Sequence, residues 1–106
     1  MISTLEKVRR LEEYLTLNNS TIDPVIESTI NKLLVREHNR LLELKIRLTN
    51  EISEFEKRYN LNSDAFYQQF ETGELGDTMD YIEWAATLEM LTNVKRSLNL
   101  LEAANN

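Results

Sequence analysis

Apolar residues recur along most of this chain at intervals of three and four, the spacing that places side chains on one face of an α-helix. The first such segment predicts a short helix over residues 4–17. Its apolar face consists of Leu5, Val8, Leu11 and Leu15. Ser3 and Glu6 fit the capping-box pattern at its start. The polar residues 18–21 then predict a connector.

A second, much longer helix is predicted from Pro24 to about Arg58. Asp23 suits its N-cap, Pro24 suits its first position, and nothing interrupts the segment that follows. Its apolar stripe consists of Ile26, Ile30, Leu33, Leu41, Leu44, Leu48, Ile52, Phe55 and Tyr59. The stripe repeats every eleven residues, which indicates a nearly straight helix. About 35 residues span roughly 50 Å, more than the width of a small domain, so we expect an elongated molecule.

The remaining residues predict an elbow and a returning helix. Residues 60–62 end the long helix, and Ser63 is the expected N-cap of a short helix that stops at Gly73. Asp77 is the expected N-cap of a last helix over about 78–102. The apolar face of this helix consists of Tyr81, Trp84, Leu88, Leu91, Val94, Leu98 and Leu101.

Together these elements predict an all-α fold, an elongated helical hairpin in which the last helix folds back antiparallel on the long one. We expect a single domain over residues 1–106. Its four segments are the short N-terminal helix with its connector (1–22), the long helix (23–59), the short helix and elbow (60–77) and the C-terminal helix (78–102). Residues 103–106 are expected to fray.

Composition narrows the class of protein. The chain has 106 residues, two glycines, one proline and no cysteine. So few turn residues disfavour an all-β fold, and the lack of cysteine excludes disulfides and thiolate metal sites. No apolar run exceeds three residues, and no basic stretch precedes an apolar one at the N-terminus. We therefore expect a cytoplasmic protein with neither a membrane span nor a secretion signal.

Charge is unevenly distributed. The net charge is −6, and residues 1–59 hold ten acidic and ten basic side chains. Residues 60–106 hold eight acidic side chains against Lys95 and Arg96. Such a surface repels phosphate backbones and attracts basic proteins, so we expect a protein partner and no direct nucleic-acid binding.

The densest signal lies between Phe70 and Trp84. An acidic residue stands at every third position, and we call this set the acidic ladder: Glu71, Glu74, Asp77, Asp80 and Glu83. One interpretation is structural, with glycines forming turns and acids stabilising helix N-termini. The other is a surface that receives Arg and Lys from a partner. The calcium-loop spacing is absent, and no metal or other cofactor is expected.

The candidate residues follow from these two interpretations. Structural turns are assigned to Gly73 and Gly76. Partner binding is assigned to Glu71, Glu74, Leu75, Asp77, Asp80, Tyr81, Glu83 and Trp84. No catalytic residue is assigned, because the only histidine, His38, has no nucleophile or paired carboxylate to work with. We expect a protein that is not an enzyme.

The same window resembles a family of small prokaryotic helical proteins that carry an F-E-x-G-E-L-G-D-x-x-D-[YF]-x-E-W stretch. The matching residues are Phe70, Glu71, Gly73, Glu74, Leu75, Gly76, Asp77, Asp80, Tyr81, Glu83 and Trp84. Further likeness at Asp23-Pro24, Phe55, Tyr59 and Phe66 extends it over most of the chain. Members are often encoded beside a small toxin-like protein of the TumE type, so the resemblance implies the antitoxin of a toxin–antitoxin pair.

Two functions remain open at this stage. The first is a binding module that neutralises a small basic toxin through the elbow and the last helix. The alternative is a self-associating helical scaffold that uses the eleven-residue stripe and has no toxin partner. We also expect a homodimer, because the long helix carries more apolar stripe than the shorter helices of one chain can cover.

Overall fold

The computed structural model describes residues 1–18 and 22–104. Within them the chain forms four helices and no strand: α1 (Thr4–Leu17), α2 (Pro24–Tyr59), α3 (Ser63–Glu71) and α4 (Met79–Ala104). The all-α prediction and the single long helix are confirmed. Residues 19–21 of the predicted connector and residues 105–106 of the predicted tail lie outside the described residues. None of the four helices has the length and apolar character needed to cross a lipid bilayer.

The first two helices begin as predicted. Ser3 Oγ accepts a hydrogen bond from the Glu6 amide at 3.1 Å, and Asp23 Oδ1 accepts one from the Val25 amide at 2.7 Å. These bonds satisfy amides that have no partner inside the helix. The Glu6 carboxylate accepts from Arg10 Nε at 3.2 Å, so α1 shows only the serine half of a capping box.

The turn from α2 to α3 corrects one prediction. Asn60 adopts a positive φ of 50°, which asparagine tolerates, and the long helix ends there. Asn62, not Ser63, is the N-cap of α3, since its Oδ1 accepts from the Ala65 amide at 2.8 Å. Ser63 is the first residue of α3, and its hydroxyl is engaged with neighbouring helices instead.

The chain divides into two compact units, residues 1–33 and 34–106. In the first unit no residue of α1 is buried. Its predicted apolar face is exposed at Leu5, Val8 and Leu11 and half-buried at Leu15. The prediction of a single domain stays a prediction.

The second unit contains the hairpin. Phe55 of α2 stacks on Trp84 of α4, and Leu48 shares a buried cluster with Val94. Residue numbers therefore fall along α2 as they rise along α4, which is the expected antiparallel arrangement. The α2 stripe within this unit is buried or half-buried at every position: Leu41, Leu44, Leu48, Ile52, Phe55 and Tyr59. Helix α4 of the same chain thus covers this part of the stripe.

Candidate functional site

An aromatic core lies beneath the elbow. Trp84 is 0% exposed and lies parallel to Phe66, with ring centroids 3.8 Å apart. Phe55 stacks on it from α2 at 5.7 Å. These stacked rings join α2, α3 and α4. Aromatic pairs of this kind stabilise a fold beyond the burial of their apolar surface. Trp84 belongs to the core and offers no surface to a partner, which corrects its assignment as a partner-binding residue.

Two other candidate residues also pack on this core. Tyr81 is half-buried, with its ring centroid 5.2 Å from Tyr59 and 5.8 Å from Phe66. Leu75 is half-buried and packs against the same cluster from the elbow. Most of the surface of both side chains therefore serves the fold.

A short chain of hydrogen bonds fixes the tryptophan. Trp84 Nε1 donates to Ser63 Oγ at 3.1 Å, and Ser63 Oγ donates in turn to Glu56 Oε2 at 2.9 Å. The Ser63 amide donates to the same carboxylate oxygen at 2.9 Å. These bonds satisfy the indole donor at the edge of the core and connect α2, α3 and α4. They explain why Ser63 is not available as a helix cap.

Asp80 of the acidic ladder is bound within the chain. Its Oδ2 accepts from Arg58 Nη1 at 2.9 Å and from the Tyr59 hydroxyl. The hydrogen bond from Tyr59, followed by that from Arg58, lowers the pKa of the Asp80 carboxyl, and the same contact with Asp80 raises the pKa of Tyr59. Hydrogen bonding favours the ionised carboxylate, so Asp80 stays charged but is largely neutralised by Arg58. Its main contact is with α2 rather than with solvent.

Gly73 lies in the turn that ends α3, as predicted, and Gly76 shares its left-handed backbone conformation. Gly73 has a φ of 81° and Gly76 a φ of 78°, both in the left-handed region that favours glycine. The Gly73 amide donates to the Phe70 carbonyl at 3.1 Å, and the Glu74 amide donates to the Gln69 carbonyl at 3.0 Å. This pair of bonds is the Schellman motif, which closes the C-terminal end of α3.

Asp77 does not take the role expected from the sequence. Helix α4 begins at Met79, so Thr78 occupies the N-cap position, and its carbonyl accepts from the Ile82 amide at 3.1 Å. The prediction that Asp77 caps the last helix is wrong by one residue. Because Asp77 lies outside the helix, its carboxylate remains exposed in the elbow.

The other four ladder residues are exposed acids: Glu71, Glu74, Asp77 and Glu83. Across residues 1–18 and 22–104, the side chains of Glu74, Asp77 and Glu83 form no ion pair and no hydrogen bond with the rest of the chain. Glu71 lies close enough to Tyr67 to help raise the pKa of that phenol, after the larger effect of Glu89. The structure thus separates the ladder into one bound acid and four exposed ones.

Two further acids join Glu83 in a groove that sequence reasoning missed. Glu51 and Glu54 of α2 line a shallow groove of about 360 Å³ together with Glu83, while Phe55 and Arg58 line the same groove. The two residues lie some thirty positions before Glu83, outside the window that held the motif. The pairing of α2 with α4 would have identified them. Phe55 lies opposite Trp84, so Glu51 and Glu54, which precede Phe55, come to line the same groove as Glu83.

His38 lies in a different part of the hairpin. Its Nε2 is 3.2 Å from Glu102 Oε1, a surface pair that connects α2 with the last turn of α4. The described residues contain no group of three or more side chains placed to hold a metal ion. Comparisons with models of protein families, with characterised proteins and with solved structures found no match to this chain.

Proposed function

We propose that this protein is a cytoplasmic binding module, the antitoxin of a toxin–antitoxin pair, which neutralises a small basic protein through its elbow. The observation that carries the proposal is the set of exposed carboxylates at Glu74, Asp77 and Glu83, which have no partner within the described residues. Other motif residues have structural roles: Gly73 and Gly76 supply the left-handed backbone conformations of the elbow, and Trp84 fills the core. Glu74, Asp77 and Glu83 have no such structural role, and we assign them to partner binding.

The rate of association and the affinity of such binding depend on different residues. Exposed carboxylates act mainly on the rate of encounter with a basic protein, and salt weakens that contribution. Affinity requires apolar contact, which Trp84 cannot provide. Met79 and Ile82 can, since both are exposed beside the ladder and Met79 is 69% exposed. A flexible methionine adapts well to a partner surface.

The alternative is a scaffold that self-associates through the eleven-residue stripe. Most of that stripe is not accessible to a second chain. The stripe from Leu41 to Tyr59 is covered by α4 of the same chain. Opening the hairpin to expose it would separate the aromatic core. We therefore favour the binding module.

The test is co-expression with the protein encoded by the adjacent gene. A triple variant, Glu74→Gln, Asp77→Asn and Glu83→Gln, removes three charges while keeping similar shapes. A matched control, Glu13→Gln, Glu27→Gln and Glu43→Gln, removes three exposed charges elsewhere. We expect the elbow variant to slow association by about tenfold at low salt, and the control to change it much less.

Circular dichroism of each variant alone shows whether the helices are intact. An elbow variant that stays helical and still protects cells as well as the parent would exclude the elbow as the binding site. Failure of the parent to bind the neighbouring protein at all would remove the antitoxin proposal itself.

A further inference from the structure

The apolar face of α1 is largely exposed in the part of the chain that the structure describes. No residue of this helix is buried, and Val8 is 55% and Leu11 39% exposed, with Leu5 exposed and Leu15 half-buried beside them. A stripe of this kind, with polar residues on the opposite face, is ordinarily buried against another helix. The exposure of α1 departs from that rule.

The charged residues of α1 indicate which chain binds its apolar face. Val8, Leu11 and Leu15 have the a–d–a spacing of a coiled coil, which places Lys7 at position g and Glu12 at position e, on either side of the stripe. On the outer face, Glu6 pairs with Arg9 and Arg10. Lys7 and Glu12 form no ion pair with any described residue. The two charges that border the stripe therefore remain available to another chain.

We propose that α1 pairs with α1 of a second copy of this chain as a parallel two-stranded coiled coil. In that arrangement a g residue faces the e residue five positions later on the partner helix. Lys7 of each copy then meets Glu12 of the other, and the two-fold axis makes this ion pair twice. Val8, Leu11 and Leu15 each meet their own equivalent across the axis.

The antiparallel arrangement does not satisfy the same charges. There g faces g and e faces e, so Lys7 would lie against Tyr14 and Glu12 against Leu5. Neither charge would gain a partner, and both would lose contact with water beside apolar side chains. Charge complementarity therefore selects the parallel pair. Since α1 has 14 residues, the coil spans only two heptads, and we expect a dimer that dissociates on dilution.

Cysteine cross-linking tests the register directly, because the chain has no cysteine of its own. A Leu11→Cys variant places two thiols across the proposed axis, within reach of a disulfide. A Glu13→Cys variant places its thiol on the outer face and is the matched control. Under mild oxidation we expect Leu11→Cys to form a covalent dimer at least about tenfold faster than the control. Equal rates would overturn the proposal.

Exchange of the two charges tests the ion pair. We expect Lys7→Glu and Glu12→Lys each to weaken the dimer about fivefold in sedimentation equilibrium, since both symmetric pairs become repulsive. An equimolar mixture of the two variants restores attraction in a heterodimer, and so does the double variant. Circular dichroism of each variant checks that its helices are intact.

Two further results would overturn the proposal. One is a parent protein that sediments as a monomer at about 100 µM, which leaves the face to a different occupant. The other is a dimer that neither charge change affects. Both measurements use the protein without any partner, so their failure leaves the elbow and its test untouched.

Discussion

At the scale of single residues, Ser63 illustrates how one small side chain serves three helices. Its hydroxyl accepts from Trp84 Nε1 and donates to Glu56 Oε2. We expect Ser63→Ala to lower the free energy of unfolding by about 1–3 kcal/mol, because the indole donor loses its partner at the edge of the core. Urea denaturation measures this change. The exposed Ser28→Ala is the control and should stay within about 0.5 kcal/mol of the parent.

Asp80 makes stability depend on pH. Its carboxyl has a pKa below the ordinary 3.8 when folded, because Tyr59 and Arg58 donate to it. A lowered pKa stabilises the fold above the unfolded value, and this contribution disappears as the pH falls through the folded value. We expect Asp80→Asn to melt at a lower temperature than the parent by a constant amount above about pH 5, and by a shrinking amount below about pH 4.

A series of thermal melts between pH 2 and pH 8 provides the measurement. Asp77→Asn is the matched control, since that carboxylate is exposed and forms no bond within the described residues. If both variants show the same pH dependence, the contacts of Asp80 with α2 do not stabilise the protein.

At the scale of helices and turns, the sequence predicted most helix boundaries to within two residues. Long apolar periodicity and the breakers Asn60 and Gly73 mark the ends clearly. The caps were harder to predict, because Asn62 and Ser63 are both good N-cap residues and stand side by side. Long-range contacts determine which of the two is the cap. The Ser63 hydroxyl is hydrogen-bonded to Trp84 and Glu56, and no local sequence pattern reveals these contacts.

The turn at Gly73 offers a test at this scale. Its φ of 81° disfavours any residue with a Cβ, although no heavy atom beyond the two neighbouring residues lies within 4 Å of where that Cβ would be. We expect Gly73→Ala to cost about 1–2 kcal/mol through backbone conformation alone. Asn60→Gly should have no cost or a small gain, since Asn60 already has a positive φ of 50°. Urea titrations of the two variants check these opposite signs, and a neutral Gly73→Ala would contradict the assignment.

At the scale of the whole molecule, hydrophobic periodicity predicted the hairpin and the sides on which α2 and α4 pack against each other. The candidate site was predicted only in part. The sequence identified the ladder, but it could not distinguish the bound Asp80 from the exposed Glu74, because Arg58 lies more than twenty residues earlier. The groove with Glu51 and Glu54 likewise depends on the register between α2 and α4, which only the packed aromatic residues fix.

The aromatic core at the elbow should dominate the stability of the hairpin. Phe66 is fully buried and packs face to face on Trp84. We expect Phe66→Ala to lower the free energy of unfolding by about 3–5 kcal/mol, the usual cost of emptying such a site. Ile46→Ala removes an exposed apolar side chain from α2 and should change stability by less than about 0.5 kcal/mol. Similar losses in the two variants would show that the core does not lie at the elbow.

Because the only tryptophan is buried, the wavelength of its fluorescence emission reports whether the core is intact. Trp84 is held between Phe66 and Phe55 without contact with water, so its fluorescence should be blue-shifted, with one emitting site. A partner that covers only the exposed carboxylates leaves the wavelength of that emission unchanged. A partner that opens the hairpin brings water to the indole and shifts the emission to the red. Fluorescence without any added label therefore distinguishes a partner that binds the surface from one that opens the hairpin.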